Sequence, residues 1–234
     1  MKKKYMLTFD IDWAPDFAIL KCLELVENAN CKATFFATHD TPLNQEIISR
    51  GHTLGIHPNF LPGSSQGTDV KAIISECLKY SPNAWCMRTH ALVQSSPLLH
   101  EIFASFPQLK LDVSLFMHRS PYAHKTSWNF DGVSFERLLY NWEDDAEFHF
   151  YNSEEQSELF FGDLTVFDFH PIHVFLNTSD GSEYLRLKKE NPAVPLSSLD
   201  INTVNSYINS GRGTQSYLKE VLGSKNMCIE LGDI

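Results

Sequence analysis

The chain predicts an α/β fold, a distorted and incomplete (β/α) barrel of about seven strands. Two observations carry this. Short apolar runs alternate with amphipathic stretches along the chain, the pattern of a parallel sheet with crossover helices. Four or more of those runs also end in Asp, His or Arg, and catalytic residues gather at that end of a parallel sheet. In a chain of 234 residues, so many strands favour a curled barrel over an open sheet. No linker, repeat or low-complexity tract divides the sequence, so one domain is expected over 1–234.

The elements follow in order. Residues 4–11 read as a strand, and Ile19, Cys22, Leu23 and Val26 give a helix over 15–28 one apolar face. Strands are expected at 33–37 and 53–56, with a short helix at 43–50 between them. After the Pro62–Gly63–Ser64–Ser65 loop, Val70, Ile73, Ile74, Cys77 and Leu78 mark a helix that Asp69 can cap. A strand at 84–88 precedes a helix at 96–105, opened by Ser95–Ser96–Pro97. Strands follow near 110–114, 136–141 and 164–169, then helices at 203–209 and 214–222, and a last strand at 227–231.

Composition narrows the function. A net charge of −10 argues against nucleic acid, whose phosphates need a basic face. No apolar stretch approaches the length of a membrane span. No apolar signal segment follows Met1–Lys2–Lys3–Lys4, so a cytoplasmic protein is expected. Cys22, Cys31, Cys77, Cys86 and Cys228 are scattered, odd in number and without CxxC spacing, which suits reduced thiols.

The chemistry concentrates at strand ends. Leu-Thr-Phe-Asp-Ile-Asp-Trp at 7–13 ends in two carboxylates, Asp10 and Asp12, that project to the same side of a strand. Such neighbours repel unless a cation or proton sits between them. A metal site uses the pair naturally, one carboxylate as ligand and the other as base; solvated aspartates capping a strand are the alternative. Further on come Gly51-His52-Thr53-Leu54-Gly55-Ile56-His57, then Trp85-Cys86-Met87-Arg88-Thr89-His90, and last Thr165-Val166-Phe167-Asp168-Phe169-His170.

In that order, these motifs resemble the NodB-type polysaccharide deacetylases, the family-four carbohydrate esterases, over roughly residues 5–175. His-Pro-Asn-Phe, Arg-Thr-His, Trp-Glu-Asp-Asp and Phe-His-Pro-Ile-His are similar to a divergent WbmS-like branch found among surface-polysaccharide genes. The resemblance implies a metal-dependent hydrolase of C–N (non-peptide) bonds. Its action would be to remove an acyl group, N-acetyl the expected one, from an amino-sugar substrate. Without an export signal that substrate would be a cytoplasmic glycan precursor, a nucleotide-linked or lipid-linked sugar. Two other readings stay open: a hydrolase of a non-sugar linear or cyclic amide on the same scaffold, and a non-catalytic carbohydrate-binding relative.

The resemblance also implies roles. Asp12 and His57 would ligate one divalent metal ion; zinc is the expected ion, with nickel, cobalt, manganese or iron as alternatives. The family's second histidine falls at Leu61, which cannot bind metal. His90 is the candidate replacement, with Asn59 behind it. Asp10 would be the general base, His170 the general acid, and Arg88 the cation that orients the base. Trp142 would wall the acyl methyl and Asp144 would partner the arginine, with Asn59 and His173 also facing substrate. His52 is expected to be packed or hydrogen-bonded outside the site.

Overall fold

The computed structural model describes residues 2–148 and 158–234. The first half alternates β1 (Lys4–Asp10), α1 (Asp16–Asn28), β2 (Thr34–Ala37), α2 (Leu43–Ser49), β3 (Thr53–Ile56), α3 (Val70–Tyr80), β4 (Cys86–Met87) and α4 (Ser96–Ser105). Then come β5 (Leu111–Phe116), β6 (Lys125–Phe130), β7 (Val133–Tyr140), β8 (Trp142–Glu143), α5 (Asp144–Glu147) and β9 (Leu164–Phe169). The chain finishes with α6 (Pro171–Leu176), α7 (Ser182–Glu190), α8 (Ile201–Asn205), α9 (Thr214–Leu222) and β10 (Met227–Cys228). Caps fall where the sequence places them: Asp69 Oδ1 accepts from Ala72 N at 3.0 Å, and Ser95 Oγ from Leu98 N at 3.3 Å.

The strands form one ten-stranded sheet in the order β6-β7-β5-β4-β3-β2-β1-β9-β8, with β10 added beside β1. All pairings are parallel except the β6–β7 hairpin. Among the described residues ten strands replace the expected seven or so: β6 and β8 are exposed or short pieces with weak apolar patterning, while β10 falls within the strand expected at 227–231. Among the described residues no strand ladder closes the sheet. The chain itself passes from β7, paired with β5, to β8, paired with β9, through the single residue Asn141. Asn141 stitches this seam: its N–H donates to Val166 O at 3.2 Å, its Oδ1 accepts from Val166 N at 2.8 Å, and its Nδ2 donates to Ser120 O at 2.7 Å.

Alternation along β1 sorts its side chains. Tyr5, Leu7 and Phe9 pack toward the helices, while Met6 joins Phe36, Leu138, Tyr140 and Val166 inside the curl. Phe9 stacks on Phe35 at 4.8 Å and leans on Phe169 at 5.9 Å. Burying one such ring stabilises by about 1.5–3 kcal/mol. A one-residue slip of β1 would forfeit these contacts and turn Asp10 into the apolar layer, so the aromatic layer fixes which way the carboxylate points. Among the described residues no helix is long and apolar enough to cross a membrane.

β3 lies tightly between its neighbours at Gly55, where a Cβ would meet Phe36 Cδ1 at 2.7 Å and Cys86 O at 2.8 Å. Gly55→Ala should therefore destabilise by about 1–3 kcal/mol. Urea unfolding should show a lower midpoint with an unchanged slope; an unchanged midpoint would mean that the strand can move aside.

Candidate active site

The site forms at the C-terminal edge of the parallel strands. After β1 the chain turns sharply: Asp12 and Trp13 adopt left-handed conformations, with φ of 46° and 53°. Ala14 N donates back to Ile11 O at 2.8 Å, and Trp13 N to Thr38 Oγ1 at 2.9 Å. Non-glycine residues held in this region carry strain, which concentrates at functional sites. The turn brings Asp12 back beside Asp10, so both carboxylates reach His57: Asp12 Oδ1 lies 3.2 Å and Asp10 Oδ2 3.5 Å from His57 Nε2.

β3 and β4 continue side by side past their ladder. Arg88 N donates to Ile56 O at 3.1 Å, and His90 N to Pro58 O at 2.9 Å. That extension carries His90 to His57, with His57 Nε2 and His90 Nδ1 3.2 Å apart. His90 Nδ1 is also 3.0 Å from Asp12 Oδ1. One carboxylate oxygen and two imidazole nitrogens thus form a triangle with edges of 3.0–3.2 Å. Burial alone would raise the Asp12 pKa; hydrogen bonds from His57 and His90 outweigh it and hold the carboxyl well below the usual range.

Leu61 is 41% exposed and lies on the surface. Asn59 Oδ1 accepts from Leu61 N at 2.9 Å and Asn59 N–H donates to Gln66 Oε1 at 2.6 Å, so this residue shapes its own loop. His52 stays outside, its Nδ1 accepting from Ala33 N at 3.2 Å.

Beneath the triangle Arg88 is completely buried. Its Nη1 donates to Asp10 Oδ1 at 3.0 Å and also to Asp168 Oδ1. Its Nε donates to Val113 O at 3.1 Å, and its guanidinium lies 4.2 Å from the Tyr140 ring centre. Asp168, not Asp144, is therefore the second carboxylate on the arginine. It sits two residues before His170 in β9, on the same side of the strand. That period of two is the signal in the sequence that points to it.

Asp144 holds His170 instead. It accepts from His170 N at 2.8 Å through Oδ2 and contacts His170 Nδ1 at 2.7 Å through Oδ1. Burial opposes a charged His170, but the Asp144 carboxylate overcomes it and raises the imidazole well above its ordinary pKa. With Nδ1 engaged, Nε2 faces the triangle, 3.7 Å from Asp12 Oδ2. His173 packs edge-on against His170 at 5.6 Å, with Nδ1 3.1 Å from Thr178 Oγ1. Burial and the His170 charge pull His173 down to about 3, so it is a neutral packing partner.

Trp142 is fully buried among Phe167 and Phe169 on the helix side, so no substrate can touch it there. Burial on both faces of a short strand is not visible in sequence. The indole at the mouth is Trp13, half-buried and edge-on to His90 at 5.3 Å. Beside the buried Trp142, Glu143 faces the other way.

An α/β sheet with this convergence of carboxylates and histidines at one edge has the architecture of a polysaccharide deacetylase. The WbmS-like polysaccharide deacetylase family model matches residues 7–188, and the chain belongs to that family. It is similar to the structure of WbmS from Bordetella bronchiseptica, described as a polysaccharide deacetylase involved in O-antigen biosynthesis. The two share 30% identity and a TM-score of 0.78 over 94% of this chain and 90% of that one. Peptidoglycan deacetylase PdaC from Bacillus subtilis shares the fold at 11% identity, with a TM-score of 0.51 over 99% of this chain and 89% of that one. Among curated proteins none matches.

Arg88→Ala would leave Asp10 and Asp168 buried without their shared cation. It should destabilise by about 3–5 kcal/mol, the cost of breaking a buried pair from one side. Chemical denaturation of wild type against Arg88→Ala and Arg88→Lys measures this. A loss under about 1 kcal/mol in Arg88→Ala, the worth of a surface pair, would show the carboxylates finding other partners.

Proposed function

We propose that the chain is a metal-dependent amide hydrolase that removes an N-acyl group, N-acetyl the expected one, from an amino-sugar-containing substrate, with 1–234 acting as one catalytic domain. The observation that carries it is the Asp12–His57–His90 triangle flanked on one side by Asp10–Arg88 and on the other by His170–Asp144.

The donor set fits a divalent ion. A tetrahedral ion with bonds of roughly 2.0–2.1 Å spaces its ligand atoms about 3.3 Å apart. The three edges here are 3.0–3.2 Å, and one carboxylate with two imidazoles suits zinc among the first-row ions. Asp12, His57 and His90 would hold the ion, which when bound supplies Lewis acidity toward water and the acyl oxygen.

The remaining steps belong to side chains. Asp10 takes the proton of the attacking water, and Arg88 fixes its Oδ1 so that Oδ2 faces the triangle. The water adds to the acyl carbon, and the C–N bond then breaks. His170 gives its proton to the departing nitrogen, because an unprotonated amine leaves very poorly. Asp144 keeps His170 charged and turned the right way. Similarity to the Bordetella WbmS supports a surface-polysaccharide precursor as substrate. Five free cysteines support a reducing, cytoplasmic setting.

Reconstituted protein should hold one divalent ion per chain by elemental analysis. Asp12→Ala and His57→Ala should abolish this, and His90→Ala should weaken it. Full occupancy in all three variants would remove the triangle as the metal site.

Asp10→Asn should keep its metal while amine release from an N-acetylated sugar falls by about 10²–10⁴. His170→Ala should fall as far with an amide but much less with an activated ester, whose leaving group needs no proton. Equal loss on both would make His170 structural.

The pH dependence tests Asp144. His170 works only when protonated, and its raised pKa keeps it so above the usual imidazole range of about 6.5. Activity should therefore persist into alkaline pH and fall only as the pH passes that raised value. Asp144→Asn removes the stabilising charge and leaves burial to dominate, so the alkaline limb of kcat/KM should move to lower pH. An unmoved limb would show that His170 is not the group being titrated.

A further inference from the structure

The strand β8 turns Trp142 into the helix-side core and so presents Glu143 on the opposite side. There it is paired in register with Asp168, the carboxylate that holds Arg88. Its carboxyl is partly exposed at the mouth and, among the described residues, accepts one hydrogen bond, from Tyr140 Oη to Oε2 at 3.3 Å. A Glu143 oxygen, an Asp145 oxygen and a ring nitrogen of His170 all lie within 4.8 Å of one another. Because Asp144 occupies His170 Nδ1, the ring's other nitrogen is the one that would meet the scissile amide. Glu143 therefore lies beside the imidazole that would meet the scissile amide. A deacetylase pocket accepting only a methyl group would leave this carboxyl facing hydrocarbon.

We propose that Glu143 selects substrates carrying a hydroxyl within one or two bonds of the scissile amide, either on the acyl group or on the ring carbon beside the amine-bearing one. The inference rests on the amide-hydrolase reading of the same site. Burial and neighbouring Asp145 push Glu143 up to about 8, so at neutral pH it carries a proton. A neutral carboxyl donates as well as accepts. The Tyr140 contact uses one acceptor position and leaves the donor free. A hydroxyl satisfies that donor, whereas a C–H group strands it in a partly desolvated pocket.

The test uses the metal-reconstituted full chain. Its substrates are the methyl glycoside of N-acetylglucosamine, the N-glycolyl analogue and the 3-deoxy N-acetyl analogue. Amine release is followed for wild type, Glu143→Leu and Glu143→Gln. Wild type should favour a substrate bearing the recognised hydroxyl by about 10–100-fold in kcat/KM over its partner without it. A preference for N-glycolyl places the hydroxyl on the acyl group; a loss with the 3-deoxy sugar places it on the ring. Glu143→Leu should bring the ratio close to one, and Glu143→Gln should reduce it partway. Equal kcat/KM for all three sugars in wild type overturns the proposal, whether or not the variants fold. So does a ratio unchanged in both variants, or a uniform loss on all three sugars. No amine release from any sugar by metal-loaded wild type would instead refute the amide-hydrolase reading, and the selectivity falls with it.

Discussion

One guanidinium ties the site together. Arg88 rises from the end of β4 and reaches Asp10 on β1 and Asp168 on β9, strands that lie on the far side of β2 and β3 or beyond. A cation buried without water is tolerated only when paired, and each carboxylate is equally dependent on it. The three side chains therefore cross the interior of the curl as a strut. The positions of Asp10 and of β9, which leads into His170, follow from that strut. Asp168 Oδ2 and Arg88 Nη2 are buried without hydrogen-bond partners among the described residues.

Much of the site is legible in the amino-acid sequence. Strand ends carry strong signals because an apolar run stops where a polar side chain appears, and Asp10, Asp12, His57, Arg88 and His170 stand at such stops. The fold brings these five and His90 into one group. What the sequence hides depends on facing. Trp142 and Glu143 are adjacent letters, and only the pairing of β8 with β9 decides which enters the core and which reaches the mouth. Asp144 and Asp168 are both acidic residues near a strand end. Asp144 does not partner the arginine as expected: two-residue alternation puts Asp168 on the side of β9 that faces Arg88, while Asp144 begins α5 and meets the His170 imidazole. α7 leaves no periodic stripe in the sequence, because Leu187 is its one buried residue.

His90 lies two residues past Arg88, on the strand beside His57, and meets Asp12 and His57, whereas Leu61, four residues past His57, lies on the surface. The cluster is then shared by three separate strand ends, β1, β3 and β4. Each is fixed by parallel pairing or by its continuation, so the donors are set by the sheet and not by a loop. The loop after His57 is free to serve other ends; Asn59 and Gln66 close it on themselves.

The seam at Asn141 bears on how wide the mouth is. In a barrel closed by an unbroken ladder, strand number and stagger determine the diameter. Here one amide and one peptide link complete the circuit, so hydrogen-bond geometry does not impose a circumference. The side chains filling the interior impose it instead: Met6, Phe36, Leu138, Tyr140 and Val166, with Arg88 among them. The aperture is thus a packing variable. A relative with smaller interior residues can draw Glu143 and α5 toward β4 without breaking any strand pairing, and a bulkier interior pushes them apart. Substrate girth in this architecture can therefore be adjusted from beneath the site, by residues that never touch what binds there.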